Sequence, residues 1–189
     1  MDGAGRDDHD LQPGPAGSGR AGAPIGVKPA VARVQSAIRQ LGLERGVIEL
    51  AVHARTSQQA ADALRVRVGQ IAKSLVFTVN GSPVLVIASG ANRVDEPKLA
   101  ALAGGVVRRA DPETVKQATG YTIGGVAPLG HPGPLPIYID ADLLRYELIY
   151  AAAGVSECVF PLTPDELIRA TGGRVVTVKA DTLSKGELP

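Results

Sequence analysis

Apolar positions from residue 29 onwards repeat at the intervals typical of helices and strands, so the pattern predicts a folded domain. Segments with helical spacing and recognisable end signals lie at 28–43, 56–66, 94–105, 111–120 and 163–173. Shorter apolar or alternating segments predict strands at 45–52, 72–79, 83–89, 105–110, 136–140, 147–152, 157–160 and 174–178.

Residues at the ends of these segments support the assignment. Asp111 and Gly120 are suited to begin and end a helix, and Thr163 with Glu166 forms a capping box. The segment NGS at 80–82 predicts a hairpin turn. Because helices and hairpins mix without regular strand–helix alternation, we expect an α+β domain around one mixed or antiparallel sheet.

Residues 1–28 differ from the rest of the chain in composition. Half of them are Gly, Pro or Ala, so the segment offers little apolar surface to offset the entropy of ordering, and we expect a disordered tail. We predict one domain at 29–180 and a short C-terminal tail at 181–189. No signal peptide or membrane span is evident, which makes the cytoplasm the expected location.

Composition excludes several classes of function. The chain has 189 residues, a net charge of +1, one cysteine and no tryptophan. A disulfide within the chain and a cysteine-rich zinc site are therefore impossible. Near-neutral charge argues against a protein that grips many phosphates, so a nucleic-acid partner would be held locally or weakly. The three histidines have no metal-binding spacing, and neither a Walker motif nor a Ser hydrolase elbow is present.

Lys73 is the first candidate functional residue, because it interrupts the apolar run QIAKSLVF. Burial of an unpaired ammonium group is costly. One interpretation is a lysine at the start of a strand, whose stem covers apolar surface while its amine reaches water. The other is an ammonium group that lines a pocket and faces a phosphate or a carbonyl oxygen.

The loop TGYTIGGVAPLGHP is the second candidate, because its glycines allow positive φ and close approach of a ligand to the backbone. Its N–H groups could bind an oxyanion, although a plain long connection is the alternative. His131 in this loop could donate a hydrogen bond to a ligand or could be an ordinary surface histidine. Cys158 is most simply a buried small hydrophobic residue.

Four segments together resemble the YbaK family, the aminoacyl-tRNA editing domain that also occurs as an insertion in bacterial prolyl-tRNA synthetases. They are GQIAKSLVF, SGANRVDEPKLAAL, ATGYTIGGVAPLGH and LPIYIDADL, in an order that extends the resemblance over about residues 30–178. The resemblance implies a mixed, partly barrel-like sheet surrounded by helices. It also implies a deacylase that hydrolyses the ester of a mischarged small amino acid on tRNA, with no metal or organic cofactor.

The resemblance assigns roles to particular residues. The essential lysine of the family corresponds to Lys73 and its loop glycine to Gly124, which is expected to orient the substrate carbonyl, with Gly125 beside it. The attacking water would be activated by a ribose hydroxyl of the substrate. We further expect Thr56 and His131 to contact the substrate.

The identity of the amino acid depends on the pocket walls. Cysteinyl-clearing members usually carry Thr after the lysine, alanyl-clearing members usually carry Asn, and this chain has Ser74. An ungapped alignment places Ala152 and Val159 where cysteinyl-clearing members have Ser and Asp, which suggests a more apolar pocket. Serine, threonine, alanine and 2-aminobutyrate stay open as substrates.

Three hypotheses follow for the function. The first is a trans-editing deacylase whose partners are the 3′ end of mischarged tRNA and a synthetase. The second is a non-catalytic module that binds a tRNA end or a synthetase. The third is a hydrolase of some other small acyl ester.

Overall fold

The computed structural model describes residues 28–181, which form five α-helices, eight β-strands and two short 3₁₀ helices. The helices are α1 (Pro29–Gln40), α2 (Ser57–Leu64), α3 (Glu96–Ala103), α4 (Pro112–Thr119) and α5 (Pro164–Thr171). The strands are β1 (Ile48–Glu49), β2 (Ile71–Val79), β3 (Ser82–Ser89), β4 (Val107–Arg109), β5 (Ile137–Asp140), β6 (Ile149–Ala152), β7 (Cys158–Leu162) and β8 (Arg174–Val176).

All eight strands belong to one mixed sheet with the order β1-β7-β6-β2-β3-β5-β8, and β4 joins it by pairing with β2. The β2–β3 hairpin at its centre is antiparallel, and its turn contains Asn80 and Gly81, both with positive φ. Strand β6 runs parallel to β2, and strand β5 runs parallel to β3. The predicted α+β class with a mixed sheet is thus confirmed. In residues 28–181 the end strands β1 and β8 do not pair, so the sheet is an open path without barrel closure.

Alternation along the central strands divides the core between the two faces of the sheet. On one face Leu85 and Ile87 of β3 pack with residues of α1, α4 and α5 in the largest apolar cluster. On the other face Val86 and Phe77 pack with Leu99 of α3. A third, smaller cluster joins α2 to Ile71 at the start of β2.

The helix ends follow the signals predicted from the sequence. Thr56, Asp95 and Asp111 each cap a helix, because the side-chain oxygen accepts a hydrogen bond from the backbone N–H three residues later. Gly104, Gly120 and Gly172 end α3, α4 and α5 in the left-handed conformation, which glycine adopts at little cost. Local chemistry therefore fixes these boundaries.

Two features depart from the pattern-based segments. The strand expected over 45–52 is paired only at Ile48–Glu49, because β1 lies at the sheet edge and pairs with β7 alone among the described strands. The predicted tails at 1–28 and 181–189 lie outside the described residues, apart from Lys28 and Asp181. Lys28 donates to Glu157, and Lys98 pairs with Asp181 at 2.8 Å.

None of the helices in residues 28–181 is long and apolar enough to cross a membrane.

The capping box of α5 gives the first prediction. Thr163 Oγ1 accepts a hydrogen bond from Glu166 N at 3.1 Å, and Glu166 Oε2 accepts one from Thr163 N at 2.7 Å. Thr163→Ala removes the capping oxygen and should lower the free energy of unfolding by about 1 kcal/mol. Thr163→Ser keeps the oxygen and is the matched control. Urea unfolding of both variants measures the difference, and equal losses would contradict the prediction.

Candidate functional site

Strand β2 changes partner along one edge, and this change opens the sheet. Strand β3 pairs with β2 from Ala72 to Val79. On the opposite edge β6 pairs only with Ile71 and Ala72, and β4 pairs only from Phe77 to Val79. Between these two partners no described strand pairs with residues 73–76 on that edge, although Val76 O accepts a bond from Ala110 N at 3.2 Å. An opening is therefore built into the middle of β2.

A cavity of about 440 Å³ occupies this opening. Its size is within the range of pockets that hold small-molecule ligands. Residues 71–77 of β2 all contribute to the wall, because the cavity is at the edge of the strand and not over one face. Small or apolar side chains from the surrounding elements complete most of the wall: Ala54, Ala60, Ala110, Val115, Val126, Ala152 and Val159.

Lys73 lines this cavity and is partly buried. Its Nζ donates a hydrogen bond to the backbone carbonyl of Asn92, in the connection between β3 and α3. Burial lowers the pKa of Lys73, the negative charge of Asp140 opposes that shift, and the positive charge of Arg109 adds to it. The amine is thus held by a neutral acceptor, with one positive and one negative side chain near enough to affect its pKa.

Ser74 presents polar groups towards the same opening. The carbonyl of Val76 points away from β3, so strand alternation directs the backbone N–H and C=O of Ser74 to that edge as well. Within residues 28–181 the buried Oγ of Ser74 has no hydrogen-bond partner. A buried polar atom without a partner costs free energy, which a group bound in the cavity could recover.

The loop that carries Gly124 is fixed to the core beside the cavity. The Tyr121 hydroxyl donates to Leu129 O at 2.7 Å, and the Arg33 guanidinium lies 4.4 Å from the centre of the Tyr121 ring. Gly124 itself is exposed, lines the cavity and has φ of 89°, a conformation that favours glycine. The loop is therefore anchored at Tyr121, three residues before the glycine that lines the cavity.

The structure brings together most of the residues predicted for the site. One cavity is lined by Thr56, Lys73, Ser74, Gly124, Ala152 and Val159. Gly125 is buried behind the wall, packed against the backbone of Gly154 and Val155. His131 lies away from this cavity, lines a second one of about 430 Å³, and makes a 2.9 Å bond between its Nε2 and Ala127 O. The direct substrate contact expected from His131 therefore has no geometric support.

Sequence patterns did not identify two arginines that belong to the wall. Arg55 precedes the cap of α2, and Arg109 ends β4 and pairs with Glu96 at 3.2 Å. Together with Lys73 they make every charged residue of the wall positive, although the whole chain is close to neutral. Only the tertiary structure reveals this, since the two arginines are far apart in the sequence and β4 brings Arg109 beside β2.

No aspartate, glutamate, histidine or cysteine stands among the described residues that line the cavity. Cys158 belongs to the main core, where burial raises the pKa of its thiol. In residues 28–181 no group of three His, Cys, Asp or Glu side chains is placed to hold a metal ion. The wall thus supplies positive charge and backbone groups but no carboxylate, imidazole or thiolate base.

Comparison with known families gives one match over much of this region. The family model described as "Aminoacyl-tRNA editing domain" matches residues 51–170. This range contains every residue that lines the cavity.

Comparison with individual proteins gives similar results. YwhH of Bacillus subtilis, an uncharacterised protein, is 34% identical over 71% of this chain and 86% of its own length. EbsC of Enterococcus faecalis, a candidate Cys-tRNA(Pro)/Cys-tRNA(Cys) deacylase, is 27% identical over 65% of this chain and 76% of its own. A crystal structure of a candidate trans-editing enzyme for prolyl-tRNA synthetase is 44% identical, with a TM-score of 0.78, over 82% of this chain and 99% of that one.

The two loop glycines provide a prediction about the wall. A Cβ at Gly125 would lie 2.7 Å from Val155 Cα and 2.8 Å from Gly154 O, whereas the nearest atom to a Cβ at Gly124 is 3.9 Å away. Gly125→Ala should therefore destabilise the fold by about 1–3 kcal/mol through overpacking. Gly124→Ala adds only backbone strain, at about 1–2 kcal/mol, and should keep the packing behind the wall.

Thermal unfolding together with amide NMR spectra distinguishes the two effects. We expect Gly125→Ala to shift the resonances of Gly154 and Val155, and Gly124→Ala to leave them in place. Unperturbed resonances of these two residues in Gly125→Ala would contradict the packing described for Gly125.

Proposed function

Because the chain belongs to the aminoacyl-tRNA editing domain family, we propose that it is a trans-editing deacylase. Its reaction is the hydrolysis of the ester between a wrongly attached small amino acid and the 3′ end of tRNA. One observation carries the proposal: Lys73 and Gly124, which are distant in the sequence, line the same cavity, and every charge on its wall is positive.

The positive wall suits a substrate that carries phosphates. Lys73, Arg55 and Arg109 supply cations around a cavity whose remaining wall is mainly apolar. Such groups attract the phosphates of a nucleotide chain and orient it without reading its sequence. In this proposal the terminal nucleotide sits at the mouth, and the aminoacyl group reaches the apolar part of the cavity.

The reaction requires no nucleophile from the protein. Water adds to the ester carbonyl, the bond between the carbonyl carbon and the ribose oxygen breaks, and the products are a free amino acid and the tRNA hydroxyl. The wall has no carboxylate, imidazole or thiolate among its described residues, so we assign activation of the water to the neighbouring ribose hydroxyl of the substrate. The Lys73 ammonium stabilises negative charge on a substrate oxygen or phosphate, and the backbone at Gly124 orients the carbonyl.

The small residues of the wall account for selection by size. A synthetase pocket separates amino acids that differ by one methylene only about 10–200-fold, so a second hydrolytic site has a physical purpose. Ala60, Ala152 and Val159 leave room for a short side chain and offer no charged group to a longer one. We therefore propose small uncharged amino acids as the substrates, delivered by a synthetase that misactivates them.

Replacement of Lys73 tests this function directly. Lys73→Met keeps the length of the stem but removes the charge, and should lower kcat/KM for deacylation by about 100-fold or more, as loss of one charge-stabilising donor does. Lys116→Met is the matched control, because Lys116 is exposed on α4 and outside the cavity wall. The measurement is release of amino acid from alanyl-, seryl-, threonyl- and cysteinyl-tRNA, with circular dichroism to check the fold.

The result separates the hypotheses. We expect the wild-type protein to hydrolyse at least one of the four tRNAs. Binding of these tRNAs without faster ester loss would support a non-catalytic module instead. Hydrolysis that persists on a short ester without adenosine would support a different esterase.

The pH dependence tests which form of Lys73 acts. The ammonium form is present below the pKa, and burial lowers the pKa of Lys73 from its ordinary value of 10.5. After subtraction of spontaneous hydrolysis, kcat/KM should therefore fall as pH rises through that lowered pKa. A guanidinium group stays charged over this range, so any activity left in Lys73→Arg should show no such fall. A wild-type rate that increases through the same transition would instead indicate a neutral amine base.

A further inference from the structure

A hydrogen-bonded network behind Lys73 connects its amine to a buried carboxylate. The amine donates to the backbone carbonyl of Asn92, and the Asn92 side-chain amide donates to Asp140 Oδ2 at 2.8 Å and to Asp142 Oδ2 at 2.9 Å. Asn92 does not line the cavity, so this network lies outside the wall. The position of the amine therefore depends on how firmly residue 92 is held.

The Asp140 carboxylate is buried and accepts its hydrogen bonds from neutral groups. The residue is 1% exposed and stands at the end of β5. Its carboxylate accepts bonds from Ser89 N at 3.1 Å and Asp142 N at 3.1 Å, in addition to the Asn92 amide. Within residues 28–181 it forms no ion pair with a lysine, arginine or histidine. Its charge is thus held by neutral donors only.

Asp142 differs from Asp140 although both contact the same amide. Lys179 Nζ lies 2.9 Å from Asp142 Oδ2, and Arg145 lies 3.2 Å from Asp142 Oδ1. Two cations therefore compensate the charge of Asp142. Of the charged groups around Lys73, Arg109 disfavours the ammonium form and Asp140 favours it.

We propose that Asp140 and Asn92 are positioning residues for Lys73. Asn92 provides the carbonyl that receives the amine, and the buried Asp140 carboxylate anchors Asn92 and places a negative charge behind that amine. Neither residue touches the substrate. The role in deacylation rests on the proposed function, but the effect on the amine itself does not.

The test compares two isosteric variants, Asp140→Asn and Asp142→Asn. Lysine labelled with ¹³C at Cε reports the protonation of each amine by NMR titration, and the Lys73 signal is identified by its absence in Lys73→Met. Asp140→Asn should lower the pKa of Lys73, because an unlike charge nearby is lost. Asp142→Asn should move it less, because Asp142 is partly exposed and is not among the charges that shift the pKa of Lys73.

The kinetic measurement extends the test to the reaction. In Asp140→Asn the decline of kcat/KM at high pH should move to lower pH by the same interval as the pKa of Lys73, and Asp142→Asn should follow the wild type. A Lys73 pKa that is unchanged in Asp140→Asn, or that moves equally in both variants, overturns the proposal. If the wild type has no deacylase activity, the proposed function fails while the NMR titration still decides the role of Asp140.

A second variant covers the case in which Asp140→Asn does not fold. Asn92→Ala removes the amide that connects residue 92 to Asp140, and leaves the carboxylate its two backbone donors. The Lys73 ε-methylene should then show slower transverse relaxation than in the wild type, as is typical of a more mobile side chain. Equal mobility in the two proteins overturns the anchoring role of Asn92.

Discussion

The fold depends most on the partner change along one edge of β2. A central strand is normally bonded on both sides, because unpaired backbone groups inside a protein are costly. Here β6 leaves β2 after Ala72, and β4 joins it only at Phe77. The cavity at the edge of the strand and the polar groups of Ser74 that face it both result from that interval. The sheet that divides the core therefore also forms the site.

The elements could be predicted well because their signals are local. Helix caps such as Asp111 and Thr163, terminal glycines such as Gly120, and the turn at Asn80 each act within a few residues of their own position. Strand lengths were less predictable. The number of residues in 45–52 that pair as a strand depends on where they meet β7, which lies more than a hundred positions later in the chain.

The site was predictable only in part, for a similar reason. An apolar run broken by Lys73 and a loop rich in glycine stand out along the chain, and a family resemblance connects them. Arg109 and Asp140 give no such signal, because an exposed strand end and a strand-terminal aspartate are common. His131 shares its loop with Gly124, but the loop turns back into the core between them and separates their surroundings.

The sparse cationic wall limits how strongly the cavity by itself could hold RNA. Each phosphate that a lysine or arginine neutralises releases counterions, so three cations give only a shallow dependence of affinity on salt. Under the proposed function, the RNA part of the aminoacyl-tRNA would contribute a weak attraction that does not depend on nucleotide sequence. The residence time of an aminoacyl-tRNA would then depend on whether its aminoacyl side chain fits between the alanine residues of the wall. A tRNA that carries its correct amino acid would dissociate quickly with its ester intact.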